Sequence, residues 1–300
     1  FKGTRARSSL DIAIAFDSVG GESNAETARE HTAYWARVRD ADLDMAIETL
    51  ADMVSDSCLD ETDFATERGV ILDELAMGED SPTETVHDAF QLAVHGDRPI
   101  GRPVGGTAQA ISAVTRDDVW DHYQAHYGPA SLIVAAAGNV DHDHVCERVQ
   151  AALDASPWDE RAVASPRPRR STQRSAPAEH DRDITRRRDV TQAHVVIGCE
   201  GLPATDPKGP TMSVLLSILG GSMSSRLFQE VREKRGLAYT TYAFDVGYSD
   251  TGTFGMYAGC SPDNVAEVET IMRAQLHDLA SDGPTDEEMT RVRGQVRGGV

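Results

Sequence analysis

Two glutamates seven positions apart, Glu67 and Glu74, are the residues whose types and spacing point most directly to chemistry. They lie in the stretch 60–80, which begins with acidic residues suited to a helix cap and has Gly78 near its end. Because seven residues make nearly two helical turns, both carboxylates fall on one stripe of the predicted helix. The positions beside that stripe are apolar, so both acids are expected to be buried next to a cation.

The cation that would balance these acids can be of two kinds. A metal ion is one, because carboxylates are metal ligands. An arginine from a neighbouring helix is the other, since buried acids also form purely structural ion pairs. The spacing alone does not choose between a metal site and a structural contact for Glu67 and Glu74.

An internal repeat favours a function for the two acids. The first-half stretches and their second-half matches occur in the same order: 32–50 with 254–272, and 64–70 with 289–295. In this alignment Glu67 and Glu74 fall opposite Val292 and Gly299. The second copy therefore lacks both acids, which indicates that the fold itself does not require them.

Other residues that could bind a metal or a phosphate form weaker patterns. His122 and His126 have the i, i+4 spacing of a metal clamp, but no glutamate accompanies them. The run Gly220-Gly221-Ser222 is too short for a phosphate loop and lacks the required lysine. His142 and His144 lie at the start of a predicted helix, where a polar surface is expected. His87 and His95 have no second ligand at clamp spacing.

Composition narrows the classes of partner. The formal net charge of −20 and the isoelectric point near 4.8 argue against a nucleic-acid or anionic-membrane surface. No window approaches the roughly 20 apolar residues that span a bilayer. The cysteines, which form no C-x-x-C pair, are Cys58, Cys146, Cys199 and Cys260. They indicate a reducing compartment, and we expect a bacterial cytoplasmic location.

The hydrophobic periodicity predicts an α+β fold of two homologous α/β sandwich domains, each a mixed, mainly antiparallel sheet with packed helices. We assign residues 1–155 to the first domain, 156–188 to an extended Pro- and Arg-rich linker and 189–300 to the second domain. Helices are predicted at 9–17, 40–57, 60–80, 83–94, 115–127, 141–153, 206–219, 220–231, 264–279 and from 286. Strands are predicted at 30–38, 131–137, 190–199, 237–246 and 251–260.

Four stretches together resemble the pitrilysin/insulinase family of zinc metalloendopeptidases, in particular bacterial members similar to mitochondrial processing peptidase. They are F-K-G-T at residues 1–4, the E-x6-E pattern, G-G-E-S-N-A at 20–25 and R-E-K-R-G-L-A-Y at 232–239. The resemblance implies one Zn²⁺, with Glu74 as a ligand and Glu67 as a supporting catalytic acid. The family's H-x-x-E-H motif is absent here, and the other zinc ligands are expected upstream of residue 1.

The resemblance also implies how substrate is held. Asn24 and Ala25 correspond to an edge strand that binds a peptide or unfolded polypeptide by strand addition. Arg232 and Tyr239 correspond to residues that bind substrate, with Tyr239 also acting on the developing oxyanion. A homodimer or heterodimer is possible, with no nucleic acid and no membrane partner.

A second function stays open. Some members of the family are non-catalytic scaffold or regulatory subunits, which tend to lose the metal residues. This chain keeps Glu67 and Glu74 and has only a short glycine run at 220–222, which favours the catalytic type. Because the H-x-x-E-H motif is missing, we interpret the chain as a fragment that alone binds zinc poorly and is inactive.

Overall fold

The computed structural model describes residues 2–160 and 182–298, so most of the predicted linker 156–188 lies outside the described residues. The described chain forms two compact units: 2–76 with 104–160, and 77–103 with 182–298. The second unit thus takes in residues 77–103, which the sequence analysis assigned to the first domain. The assignment of this segment depends on which sheet it packs against, and local sequence patterns do not carry that information.

Most of the predicted helices and strands are present in the predicted order, whereas β1 and α5 were not predicted and the strand 131–137 is missing from the described residues. In chain order the elements are α1 (Ser9–Asp17), β1 (Glu22–Thr27), β2 (Thr32–Arg37), α2 (Leu43–Ser55), α3 (Glu61–Asp80), α4 (Pro82–His95), α5 (Ala108–Ala113), α6 (Arg116–His126), α7 (His142–Asp154), β3 (Ala193–Glu200), α8 (Gly209–Leu219), β4 (Ala238–Gly247), β5 (Gly252–Cys260), α9 (Val265–Asp282) and α10 (Asp286–Gly298). A π-helix, Phe228–Glu233, stands where the C-terminal part of the helix 220–231 is predicted.

The first unit packs α1 and α2 against an antiparallel hairpin of β1 and β2. A capping box starts α1, because the Ser8 hydroxyl accepts from the amide of Asp11 and the Asp11 carboxylate accepts from the amide of Ser8. Behind this cap, α1 buries Ile12 and Phe16 against α2. Local capping and one apolar face are enough to define this helix, and its predicted bounds are confirmed.

The predicted strand 131–137 is wrong for the described residues. Pro129–Ser131 forms a 3-10 turn, the following segment has no regular structure, and Ile133 is 84% exposed. A strand needs a neighbouring strand to take its backbone hydrogen bonds, however apolar its side chains are. Within the described part of the chain no strand pairs with this segment, so its apolar run is not sufficient to make it one.

The second unit is a three-layer arrangement around an antiparallel sheet of order β3-β5-β4. Along β5 the side chains alternate between the two faces of the sheet. Met256 and Ala258 join the core beneath α8 and α9, where Met256 and Met272 are completely buried. Thr253 and Tyr257 point to the other face, where α4 lies. The helix that follows Glu74 in the chain is therefore part of the second unit's packing.

Gly220 ends α8 where the helix meets β4. A Cβ atom at this position would lie 2.2 Å from the amide nitrogen of Ala243 and 2.7 Å from the carbonyl carbon of Tyr242. Gly220→Ala should therefore lower the free energy of unfolding by about 2 kcal/mol, because backbone cannot move aside cheaply. Chemical denaturation measures this difference.

The matched control is Gly209→Ala at the start of the same helix. A Cβ atom at Gly209 would have no neighbour within 4 Å. This variant should be neutral or slightly more stable, since alanine restricts the unfolded chain more than glycine does. Equal effects of the two substitutions would contradict the steric explanation for Gly220.

Candidate metal and substrate site

Helix α3 carries Glu67 and Glu74 on one stripe, and it lies on the surface of the described part of the chain. No residue of α3 is buried. Arg68 links α3 to the segment after α5, because its guanidinium donates to the carbonyl of Val114 at 3.3 Å. The same guanidinium lies over the ring of Phe64 on α3. Both acids are therefore open to solvent or to a ligand on one side.

Glu67 forms an ion pair with the ammonium group of Lys2, at 3.0 Å between Nζ and Oε2. The two side chains are 41% and 43% exposed, so the pair is a surface contact. The segment that carries Lys2 is fastened to the end of α2, because the Thr4 hydroxyl donates to the carboxylate of Asp52 at 2.7 Å. The cation beside Glu67 in this structure is thus a lysine of the F-K-G-T stretch, and not an arginine.

Glu74 is exposed, and this corrects the expectation that both acids lie in a buried apolar arc. The apolar neighbours of the stripe are exposed as well, Met77 to 72% and Val70 to 43%. An apolar stripe is buried only where another element covers it, and nothing in the described ranges covers this one. Periodicity predicted the helix and the shared stripe, but not the covering.

The residues present do not complete a zinc site. Catalytic zinc takes three protein ligands and an open position for water. Across residues 2–160 and 182–298, no three His, Cys, Asp or Glu side chains come together in a way that could hold a metal ion. Glu74 is of the right chemical type and is accessible, but it offers one carboxylate only.

The β1 strand has the geometry of a peptide-binding edge. It pairs with β2 on one side, where Asn24 lies opposite Trp35 and Ala25 opposite Tyr34. In the described sheet order it has no neighbour on the other side. Asn24 is exposed, and its side-chain oxygen accepts from the amide of Ala25 at 2.8 Å. The free edge could pair with an extended peptide.

Arg232 and Tyr239 are brought together by a tight turn at the end of the π-helix. The guanidinium of Arg232 lies between two rings, 4.7 Å from the centre of Phe228 and 4.5 Å from the centre of Tyr239. Gly236 makes the turn possible, since its φ of +61° suits glycine. Tyr239 is 73% exposed, so its hydroxyl is accessible to a ligand.

The competing histidines do not form a metal centre within the described residues. The rings of His122 and His126 are 4.4 Å apart, but no third ligand joins them. His142 lies 3.6 Å from the thiol of Cys146, and His144 pairs with Asp44 at 2.8 Å. These contacts fit the interpretation of an ordinary polar surface.

A cleft of about 1340 Å³ opens in the first unit, between β2, the segment 132–137 and the apolar faces of α2 and α7. Neither Glu67 nor Glu74 lines it. Tyr34 is one of its lining residues, and its pKa is raised, first by burial and then by a hydrogen bond with Tyr127. The cleft is thus separate from the stripe of acids.

Sequence reasoning missed one cluster of potentially functional residues, in the second unit. His87, His194, Tyr242 and Tyr257 contact one another where α4 crosses the sheet. The sequence did contain one sign of this cluster: every fourth residue of α4 is polar, and that spacing places the polar residues on one face of the helix.

Comparison with protein families identifies the family of the chain. Residues 1–108 match the family described as Insulinase (Peptidase family M16), and residues 113–296 match the domain described as Peptidase M16 inactive domain. The chain belongs to the insulinase family, peptidase family M16. This confirms the family predicted from the sequence.

Relatives in this family are named zinc proteases. An uncharacterized zinc protease of Streptomyces coelicolor is 48% identical over 298 residues, which are 99% of this chain and 65% of the relative. One of Bacillus subtilis is 33% identical over 300 residues, covering 100% of this chain and 71% of the relative. The chain thus spans about two thirds of the length of the curated relatives it matches.

Two solved structures share the fold. A protease from Helicobacter pylori matches with a TM-score of 0.87 at 23% identity, covering 100% of this chain and 72% of that one. A peptidase M16 inactive domain from Pseudomonas fluorescens matches with a TM-score of 0.86 at 18% identity, covering 100% and 71%. They confirm the predicted α+β class. No helix in the described ranges is both long and apolar enough to cross a bilayer.

Proposed function

We propose that the full-length insulinase-family protein is a zinc-dependent metalloendopeptidase. The observation that carries the proposal is the accessible carboxylate of Glu74, which lies on the same stripe of α3 as Glu67. The first 108 residues of the chain match the insulinase family. Glu74 is proposed as one zinc ligand, and the others are proposed to lie outside these 300 residues. Bound zinc supplies a Lewis acid that acidifies a water molecule and polarises a carbonyl.

The residues of this chain have separate roles in the proposal. Glu67, held by Lys2 at 3.0 Å, contributes negative charge on the same stripe as Glu74. Asn24 and Ala25 on β1 bind an extended peptide through the free strand edge. Arg232 and Tyr239 hold the substrate backbone, and the Tyr239 hydroxyl stabilises negative charge on the carbonyl oxygen. The substrate class is an extended peptide or precursor segment; the cytoplasmic location and a dimer stay predictions.

The test is direct. The full-length protein, purified with zinc, is assayed with a fluorogenic peptide before and after removal of metal by a chelator. We expect cleavage that stops on chelation and returns when zinc is added back. Absence of cleavage at full zinc occupancy would overturn the proposal.

The alternative is a non-catalytic scaffold or regulatory subunit of the same family. It is favoured by one observation: the described residues hold no complete metal-binding group. The two functions differ in the zinc content of the full-length protein. A stoichiometric ion that Glu74 helps to bind supports the peptidase, whereas a full-length protein without zinc supports the scaffold.

Arg232→Met should lower kcat/KM for the peptide about tenfold, since it removes the cation stacked between Phe228 and Tyr239. Steady-state kinetics measures the loss. The control is Arg273→Met on α9, where the arginine pairs with Glu269 four residues away on the surface. Equal losses in the two variants would show that the effect is not specific to the stacked arginine.

A further inference from the structure

The face of α4 that packs on the sheet of the second unit carries a polar stripe. Every fourth residue is polar and meets a polar partner on the sheet. The contacts are Thr83 with His194 and Tyr257 at 3.5 Å, His87 with Tyr242 at 2.9 Å, Gln91 with Thr253 at 3.2 Å, and His95 with Thr253 at 2.9 Å. The docking of α4 therefore depends on hydrogen bonds, whose strength depends on protonation, as well as on apolar contact.

One end of this stripe is closed to water. His95 is 1% exposed, and the guanidinium of Arg98 lies 3.2 Å from its Nδ1. Because a guanidinium can only donate, Nδ1 accepts, and Nε2 donates to the hydroxyl of Thr253. Thr253 in turn donates to the side-chain oxygen of Gln91. This end is a fixed chain of hydrogen bonds that uses a neutral imidazole.

The other end is half-buried and contains two histidines around one tyrosine. The ring of His87 stacks on Tyr257 at 5.6 Å between centres and meets the edge of Phe244 at 5.0 Å. From β3, Nδ1 of His194 lies 2.8 Å from the hydroxyl of Tyr257. Two imidazoles from different elements thus share an aromatic partner on β5.

Protonation of these imidazoles opposes the docking of α4. The titratable groups that face them in the described structure are Asp88 on α4, Tyr242 on β4 and Tyr257 on β5. Burial lowers the pKa of His87 and of His194, and the carboxylate of Asp88 acts in the opposite direction on His87. Aromatic faces attract cations. For His87 the effect of burial is therefore larger than that of the Asp88 carboxylate, and for His194 burial alone sets the direction.

The docking of α4 is expected to be stronger at neutral than at acidic pH. Each histidine takes up its proton more readily when exposed, at its ordinary pKa of about 6.5, than when α4 is docked. Docking is therefore fully favoured above that value and weakens as pH falls below it.

The start of α4 is tied to the end of α3. The Thr85 hydroxyl donates to the carbonyls of Ser81 at 2.9 Å and Glu79 at 3.3 Å, and the amide of Ser81 donates to the carbonyl of Gly78 at 3.1 Å. Glu74 lies one turn before Gly78 on the same helix. These bonds join α4 to the last turn of α3, which begins three residues after the proposed zinc ligand.

We propose that His87 and His194 are positioning residues that form a proton-sensitive latch. The latch holds α4 on the sheet at neutral pH and releases it in mild acid, together with the last turn of α3. The consequence for Glu74 rests on the proposed function, whereas the latch itself does not.

Hydrogen exchange of the full-length protein tests the latch. Protection of the amides of 83–95, each corrected to the unfolded chain at the same pH, should fall about tenfold between about pH 7.5 and about pH 5.5. His87→Phe keeps the aromatic stack and His194→Gln keeps a hydrogen bond to Tyr257, while neither side chain titrates. The double variant should lose this pH dependence completely, and each single variant should lose part of it.

The control is His277→Gln, an exposed histidine of α9, which should behave as the unmodified protein does. Equal protection of α4 at the two pH values in the unmodified protein would overturn the latch, as would unchanged pH dependence in the double variant. The positioning role is read from the peptidase pH profile, whose acid limb should move to lower pH in the double variant. Because exchange needs no activity, an inactive protein with an intact latch overturns only the peptidase proposal.

Discussion

If the proposed function is correct, replacing Glu74 with glutamine in the full-length protein should abolish zinc binding and lower kcat/KM by at least about 1000-fold. The amide oxygen of glutamine is neutral and binds zinc far more weakly than a carboxylate does. The substitution should leave the stability of the zinc-free protein almost unchanged, since Glu74 is exposed on α3. Elemental analysis and cleavage of a fluorogenic peptide measure the two effects.

Two acids of the same helix serve as comparisons. Glu79→Gln, near the end of α3, should keep both zinc and activity, because the side chain is exposed and outside the stripe. Glu67→Gln should give an intermediate loss of about tenfold, since it removes charge near the metal but no ligand. Full zinc and full activity in Glu74→Gln would show that Glu74 is not a ligand.

Replacing Glu288 with glutamine should lower the free energy of unfolding by about 3 kcal/mol at neutral pH. Glu288 forms a two-pronged ion pair with Arg226, at 2.7 Å to Nε and 2.9 Å to Nη2, and also accepts from the amide of Thr285 at 2.8 Å. Both charged side chains are largely buried. The variant leaves the guanidinium without its counter-charge, which is the costly outcome for a buried pair.

The pH dependence of this effect has a defined direction. Hydrogen bonding with Arg226 lowers the pKa of Glu288 from 4.5 to about 2. The stabilisation is therefore complete above about 4.5 and is lost as pH falls through about 2. Denaturation curves over that range should show the difference between Glu288→Gln and the unmodified protein shrinking toward zero.

An exposed pair on the same unit is the control. Glu269 and Arg273 are four residues apart on α9, at 2.8 Å. Glu269→Gln should cost less than about 0.5 kcal/mol, because water screens the charges. A cost below about 1 kcal/mol for Glu288→Gln, or one that does not change with pH, would contradict the assignment of a buried pair.

Helices with local start signals could be predicted closely from the sequence. The stretch 9–17 was predicted and α1 spans Ser9–Asp17, and the stretch 60–80 corresponds to Glu61–Asp80. The reason is that caps and a helical period are properties of a few neighbouring residues. The β4 and β5 hairpin was found for a similar reason, since the alternation of side chains is local.

Burial and pairing could not be predicted in the same way. The apolar run 131–137 is not a strand within the described structure, and the apolar neighbours of Glu74 are exposed. Both outcomes depend on what lies beside the segment, which is a non-local property. The same holds for α4, which follows α3 directly but packs with the second unit.

By itself, the sequence determined the family, the α+β class, and the placement of Glu67 and Glu74 on one helical stripe. Residue type and spacing are sufficient for the class and the stripe, and the family was implied by the resemblance of four stretches, so each conclusion is carried by short segments. Only the tertiary structure decided that Lys2 pairs with Glu67, that Arg232 stacks on Tyr239, and that His87 of α4 and His194 of β3 meet around Tyr257. The first and third of these contacts join residues far apart in the chain, and the second needs the turn at Gly236, so all three depend on how whole elements fold and pack.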